Sequence, residues 1–322
     1  MLGQKLAEKL ADIGKVGKHE IAGVTLADAG GLPRVPGGAK MAFTSRVADI
    51  TDEEITNSLI AEKPALIFHL AAVVSGEAEA NFEKGYSVNV DGTRNLLESI
   101  RRVGNGYKPR VVFTSSVAVY GGPFPEIIDD NFHLQPRTSY GTQKAICELL
   151  LNDYSRRGFI DGIGLRLPTL CIRPGVPNQA ASGLFSNILR EPLVGLAAIL
   201  PASKDVSMVF ASPRSAVAFL LKAATLDTDL LGDRRSLMMP GVWATIGDEI
   251  DALRRVAGQK IVDLILEEPN VDAQKMVANW NFAPLPSERA RSLGFTCEVS
   301  MDEIIRVHIE DELGGKIPGL GA

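Results

Sequence analysis

The sequence predicts an α/β protein: a doubly wound parallel sheet makes up its larger part, and a smaller α/β lobe follows toward the C-terminus. Three observations point there. Short, almost continuous apolar runs stand at Ala65–Ala72, Val111–Phe113 and Gly162–Ile172, the mark of strands buried on both faces. Stretches of helical periodicity lie between them, so strand and helix alternate as parallel crossovers require. The run at Val111–Phe113 turns polar at Thr114-Ser115-Ser116, and open sheets of this kind bind ligands at the carboxyl ends of their strands.

The bulk properties agree. At 322 residues, with 45% hydrophobic and 23% charged residues, the chain has room for one large domain and a smaller lobe and an ordinary globular composition. The expected division is 1–170 for the larger domain and 171–322 for most of the lobe, with some segments returning to the first domain. A net charge of −5 gives no pull toward nucleic acid or an anionic membrane. No apolar run reaches the length of a bilayer span, and the N-terminus lacks a signal-peptide pattern. Cys147, Cys171 and Cys297 are scattered, which fits a reducing cytoplasm and suggests neither a disulfide nor a metal site.

Taken in order, Met1–Leu10 reads as a helix with Leu2, Leu6 and Leu10 on one stripe. Glu20–Ala27 reads as a strand ending at Asp28, and Val47–Asp52 as a turn. After the strand Ala65–Ala72 the chain passes Val73-Val74-Ser75-Gly76 and enters a helix over Tyr86–Arg101. The strand at Val111 leads through Val119-Tyr120-Gly121 to a helix that carries Tyr140 and Lys144 and stops near Gly158. Gly162–Ile172 is the next strand. Leu237–Pro240 with Gly241–Thr245 reads as a strand entering a helix over Ile246–Ala257, and Val262–Leu266 and Ala283–Thr296 belong to the lobe. Trp243 and Trp280 read as packing residues.

The chemistry gathers around Ser116, Tyr140 and Lys144. Tyr140 and Lys144 stand four apart, so a helix presents both on one face. A free tyrosine titrates near 10 and makes a poor base at neutral pH, but a neighbouring ammonium favours its phenolate. Ser116, at a strand end, would hydrogen-bond a substrate hydroxyl and hold it against the tyrosine oxygen. A hydroxyl at a strand end beside a Tyr/Lys pair suggests proton transfer coupled to hydride transfer.

A Tyr-x-x-x-Lys alone is common by chance. Here it is joined to Ser-Ser-x-x-Val-Tyr-Gly, and Tyr140 follows Ser116 by 24 positions. Together with Asn89-Val90-Asp91-Gly92-Thr93-Arg94-Asn95-Leu96-Leu97, this pattern resembles the extended short-chain dehydrogenase/reductases, the NAD-dependent epimerase/dehydratase family, over almost the whole chain. The resemblance implies a Rossmann-like fold, NAD as cofactor, and Ser116, Tyr140 and Lys144 as catalytic residues. In that family a buried strand and a G-x-x-G-x-x-G turn precede the first helix. Gly3 matches the last of those glycines, the strand and the other two would lie before Met1, and a start upstream of Met1 is the expectation. Asp28 would take the ribose diol and favour NAD over NADP, although it also suits a turn before Gly30-Gly31.

The resemblance further assigns Asp49 and Ile50 to the adenine, with a helix cap equally open for Asp49. It assigns Leu70, Ala71 and Ala72 to close passage of the cofactor, Ser75 to the active-site mouth, Ser115 to the cofactor side, and Pro168 and Thr169 to the nicotinamide. Asn89 would prop Lys144 or cap a helix, and His69 is structural. Arg166–Gly175, Asn178–Ser182, Ile188–Leu193 and Ala211–Val217 resemble the branch that oxidises sugar acids. The implied reaction is oxidation of the C2 hydroxyl of a four-carbon sugar acid, with Arg173 and Arg214, ahead of Arg190, as candidates for its carboxylate. Two alternatives stand beside it: a nucleotide-sugar epimerase or dehydratase, and a non-catalytic NAD-binding sensor. Relatives often pair through a bundle that includes the Tyr/Lys helix, which implies a homodimer.

Overall fold

The computed structural model describes residues 1–175, 182–270 and 281–321. Helix α1 spans Leu2–Ile13, buries Leu6, Ala7, Leu10 and Ala11, and ends on Gly14, whose φ of 66° lets its N–H reach the Leu10 carbonyl. Strands β1 (Gly23–Asp28) and β2 (Ala42–Val47) pair in parallel from Gly23↔Ala42 to Asp28↔Val47. Strand β1 begins three residues later than its apolar pattern suggests, because His19–Glu20 pairs instead with Lys15–Val16 in a small hairpin. Helix α2 (Glu53–Ala61) is capped by Asp52, which accepts from the N–H groups of Glu54 and Ile55.

Strand β3 covers only Leu66–His69 of the apolar run. The following helix opens as a π-helix over Tyr86–Asp91 and becomes α3 at Gly92–Val103. Strand β4 (Arg110–Ser116) lies parallel to β3, with Leu66 opposite Arg110 and His69 opposite Phe113. Helix α4 (Ser139–Arg156) and strand β5 (Asp161–Leu167) complete the crossover. Leu96, Leu97 and Ile100 of α3, Val111 and Phe113 of β4, and Cys147 and Leu151 of α4 share one apolar core. This core packs α4 against α3 and β4.

The strand expected over Gly162–Ile172 is two strands. Pro168 has no N–H to give a ladder; β5 stops at Leu167, and β6 (Thr169–Leu170) joins another sheet. Then follow α5 (Gly183–Leu193), β7 (Ala198–Leu200), β8 (Ser207–Ala211), α6 (Pro213–Thr225), β9 (Ser236–Met238), β10 (Val242–Thr245), α7 (Ile246–Ala257), β11 (Ile265–Glu267) and α8 (Met301–Leu313). The main sheet has the order β9-β5-β4-β3, and a second has β10-β8-β6. Strand β8 is antiparallel to β10 and parallel to β6, while β7 and β11 pair in parallel. Residues 237–245 thus form two strands in different sheets, and Thr245 and Asp248 close a capping box at the start of α7.

The fold is a Rossmann-like α/β fold. Its residues gather into two compact units: Met1–Val119, Thr138–Arg166 and Val217–Leu237 in the first, and Tyr120–Arg137, Leu167–Ala216 and Met238–Ala322 in the second.

Candidate active site

Within the first unit, β3, β4, the π-helix and α4 bring Ser116, Tyr140 and Lys144 to one end of the sheet. Thr138 begins α4 by accepting from the Gly141 N–H at 3.1 Å, and Glu79 accepts from the Ser139 N–H at 2.8 Å. These two caps set the first turn, where Tyr140 is half-buried. One turn on, Lys144 is 2% exposed. Its ammonium donates to the Thr114 carbonyl at 2.8 Å and lies 4.8 Å from the centre of the Phe113 ring and 5.6 Å from that of Tyr140. Burial pushes Lys144 down to about 8, while Cys147 and Glu148 act in the opposite direction. A cation held in a dry, aromatic-walled place is what a tyrosine base needs beneath it.

Ser116 closes β4, half-buried, with its Oγ accepting from the Ala118 N–H at 3.1 Å. Ser115 turns the other way: its hydroxyl donates to Glu148 Oε1 at 2.5 Å. Asn89 accepts from the Val73 N–H at 2.8 Å, and its amide donates to the Val73 carbonyl at 3.1 Å and to Gln143 Oε1 at 2.7 Å. It therefore ties the segment after β3 to the residue beside Lys144, and the π-helix supplies the turn that aims it there. His69 Nε2 and the Thr93 hydroxyl are 2.8 Å apart. Burial, helped by the charge on Lys144, pushes His69 down to about 3, so the ring is neutral and structural.

The other cofactor candidates of the first unit lie around this end. Leu70 and Ala72 are half-exposed and Ala71 is exposed just beyond β3, and Ser75 opens the next turn. A Cβ on Gly3 would stand 3.6 Å from Leu70, so the start of α1 sits against that segment. Asp28 ends β1 with an exposed carboxylate, one oxygen of which accepts from the Gly30 N–H at 2.7 Å. Asp49 accepts from the N–H and hydroxyl of Thr51 at 2.9 and 2.8 Å. Ile50 packs so closely on Gly92 that a Cβ there would come within 2.7 Å of it. Asn95 donates to the carbonyls of Ile50 and Thr51 and holds that turn.

In the second unit Pro168 and Thr169 are buried where the chain changes sheets. Arg173 donates to the Leu170 carbonyl at 3.1 Å and to the Ser182 hydroxyl. Arg190 donates to the Arg173 carbonyl at 2.9 Å and is paired with Glu191. Arg214 is paired with both Asp311, at 2.5 Å, and Glu310, at 2.9 Å. Trp243 donates to the Phe282 carbonyl at 2.6 Å, while Trp280 and residues 178–181 lie outside the described residues. Glu148, Arg166, Gln143 and Asn95 are the partners that sequence reasoning missed. Helix spacing gave a signal for Glu148 alone, as the next member of the Tyr140–Lys144 face.

A model of the NAD dependent epimerase/dehydratase family matches residues 1–225. The chain belongs to this family. The exposed carboxylate at the end of β1, the small residues beyond β3 and the buried ammonium on α4 suit the family's dinucleotide, and the protein is an NAD-dependent enzyme. It is 48% identical to a D-erythronate dehydrogenase of Cupriavidus necator over 82% of this chain and 80% of the relative. A D-erythronate dehydrogenase of Haemophilus influenzae is 41% identical over 80% and 81% of the two chains. The crystal structure of a nucleoside-diphosphate-sugar epimerase from Agrobacterium tumefaciens superposes with a TM-score of 0.95 at 55% identity, covering 98% of this chain and 92% of the other. Among the described residues no helix is long and apolar enough to cross a membrane, and no cluster of side chains suits a metal ion.

Proposed function

We propose that this protein is an NAD-dependent D-erythronate dehydrogenase that oxidises the C2 hydroxyl of the acid to a 2-oxo acid. The substrate comes from the two relatives at 48% and 41% identity. The observation that carries the chemistry is the buried ammonium of Lys144, 5.6 Å from the centre of the Tyr140 ring. Tyr140, as phenolate, takes the hydroxyl proton. Lys144 stabilises that phenolate and offers its charge to the ribose hydroxyls of the cofactor. Ser116 holds the alcohol in line, and Ser115 supports the strand end beneath it. NAD, when bound, accepts the hydride that leaves C2.

Asp28 would hold the ribose diol, Asp49 and Ile50 the adenine, and Gly3, Leu70, Ala71, Ala72 and Ser75 the near side of the dinucleotide. Asn89 would support Lys144, Pro168 and Thr169 would face the nicotinamide, and Ser75 would also meet the substrate. Arg173 and Arg214 are the candidates for the acid's carboxylate, and Arg214 would first have to leave Asp311 and Glu310. On this reading 1–170 chiefly binds NAD and 171–322 chiefly binds the sugar acid. A cytoplasmic homodimer completes it, supported by three free thiols and by Leu149, exposed on α4.

The test is a substrate screen that follows NADH absorbance for net oxidation and product chromatography for nucleotide sugars, because epimerisation and dehydration return the hydride and leave no net NADH. D-Erythronate should drive NADH formation, while UDP- and dTDP-sugars should come back unchanged. Turnover of a nucleotide sugar with no response to erythronate would establish the epimerase reading that the Agrobacterium structure's name favours. NAD binding without turnover of either would establish the sensor. Light scattering on the purified protein decides the dimer.

A further inference from the structure

Glu148 stands one turn beyond Lys144 on α4 and is 4% exposed. Ser115 donates to one carboxylate oxygen at 2.5 Å, and Arg166 of β5 reaches both, through Nε at 3.0 and 3.1 Å and through Nη2 at 2.7 Å. One carboxylate thus joins α4, the end of β4 beside Ser116, and β5. If these contacts served only to fasten a helix to a sheet, well-packed apolar side chains would do as well, since a buried ion pair is weak as a stabilising device. The position of Glu148 suggests what the charge is for. It follows Lys144 at the spacing that brings side chains together on a helix.

We propose that Glu148 is a positioning residue for the Tyr140–Lys144 pair: anchored by Ser115 and Arg166, its carboxylate holds the ammonium of Lys144 in place beneath the tyrosine. The surroundings of Lys144 leave Glu148 as the charge for this task. From β4 come the Thr114 carbonyl and the Phe113 ring, neither of them charged. From β3 comes His69, which burial keeps neutral. On α4 itself stand Tyr140, which the ammonium serves, and Cys147, which also favours the charged Lys144 but only as a thiolate, the form that its burial disfavours. Burial drives Lys144 toward its neutral form. Glu148 opposes that drive, and Arg166 fixes where its negative charge sits.

The inference rests on the Ser116/Tyr140/Lys144 reading above, and its decisive readout does not need turnover. The side-chain nitrogen of Lys144 is titrated by NMR in protein carrying labelled lysine, with the signal assigned by its loss in Lys144→Met. Glu148→Gln should move that titration down by about one pH unit, the scale on which a close charge acts. Glu148→Asp, which keeps the charge, should restore most of it. If Glu148→Gln does not fold, Arg166→Gln gives the test with the opposite sign: an unshared carboxylate moves Lys144 upward. A Lys144 titration unchanged in the folded variants overturns the proposal. If the wild-type protein oxidises erythronate, the alkaline limb of its pH profile should also fall in Glu148→Gln, by more than the acid limb moves. If it does not, the dehydrogenase reading fails, while the titration still decides the role of Glu148.

Discussion

Lys144 and Glu249 are both sealed from water, and burial pushes each toward its neutral form: Lys144 down to about 8, Glu249 well above the carboxylate range. Their surroundings differ. Lys144 has a carbonyl to donate to, two aromatic rings to lie against, a carboxylate one turn away and a half-exposed phenol one turn before it. Glu249 accepts a weak bond from the Cys171 thiol at 3.7 Å, and its second oxygen has no partner among the described residues. Burial alone therefore does not separate the two groups. What distinguishes Lys144 is the half-exposed Tyr140 beside it, the neighbour on which the proposed chemistry rests.

The largest effect expected is that of Tyr140→Phe. It should bind NAD and lose turnover by about 10²–10⁴-fold, the range for removing a general base; full turnover would reduce Lys144 to the status of Glu249. Lys144→Met comes next. Turnover should fall by about 10²-fold, again within the general acid–base range, and the protein should melt higher. The sign follows from linkage: a group lowered from 10.5 to about 8 in the fold contributes fully above 10.5 and costs stability as pH falls through 8, so removing it relieves that cost at neutral pH. Each kcal/mol relieved corresponds to about 2 °C in a chain of this size.

Arg173→Gln should raise KM for erythronate by about 10-fold or more, as loss of a charge-assisted hydrogen bond does. Arg214→Gln should raise it less. The smallest functional effect belongs to Glu249→Gln, which should leave kcat within error and alter stability instead. A carboxyl raised in the fold stabilises fully below its unfolded value near 4.5 and progressively less as pH climbs. The wild-type protein should therefore lose up to about 1.4 kcal/mol per pH unit from this group above that point, and Glu249→Gln should flatten the slope. Denaturant melts across pH 5 to 8, about the range of ordinary maximal stability, read it directly.

The parts of this molecule that could be read from the chain are those whose cause is local. The strand cores near Leu66, Val111 and Ile163 announce themselves by unbroken apolar runs, and Tyr140 and Lys144 by helix spacing. Pro168 carried a usable signal for the change of sheet, and the apolar run on either side of it masked that signal. Arg166, Gln143 and Asn95 stayed hidden because their partners are distant in sequence. Arg166 meets Glu148 eighteen positions back, and Gln143 meets Asn89 fifty-four positions back. An arginine inside a strand looks alike whether it faces water or a buried carboxylate. The same blindness made Arg214 look available, when Glu310 and Asp311 on the last helix occupy it.

The chemistry proposed for this site requires the ammonium of Lys144 to make Tyr140 a base. Phenolate absorbance, taken as the difference between the wild-type protein and Tyr140→Phe with NAD bound, isolates this one side chain from the other tyrosines. The phenolate should form at distinctly lower pH in the wild-type background than in Lys144→Met. The same titration in both backgrounds would mean that Lys144 does not act on Tyr140.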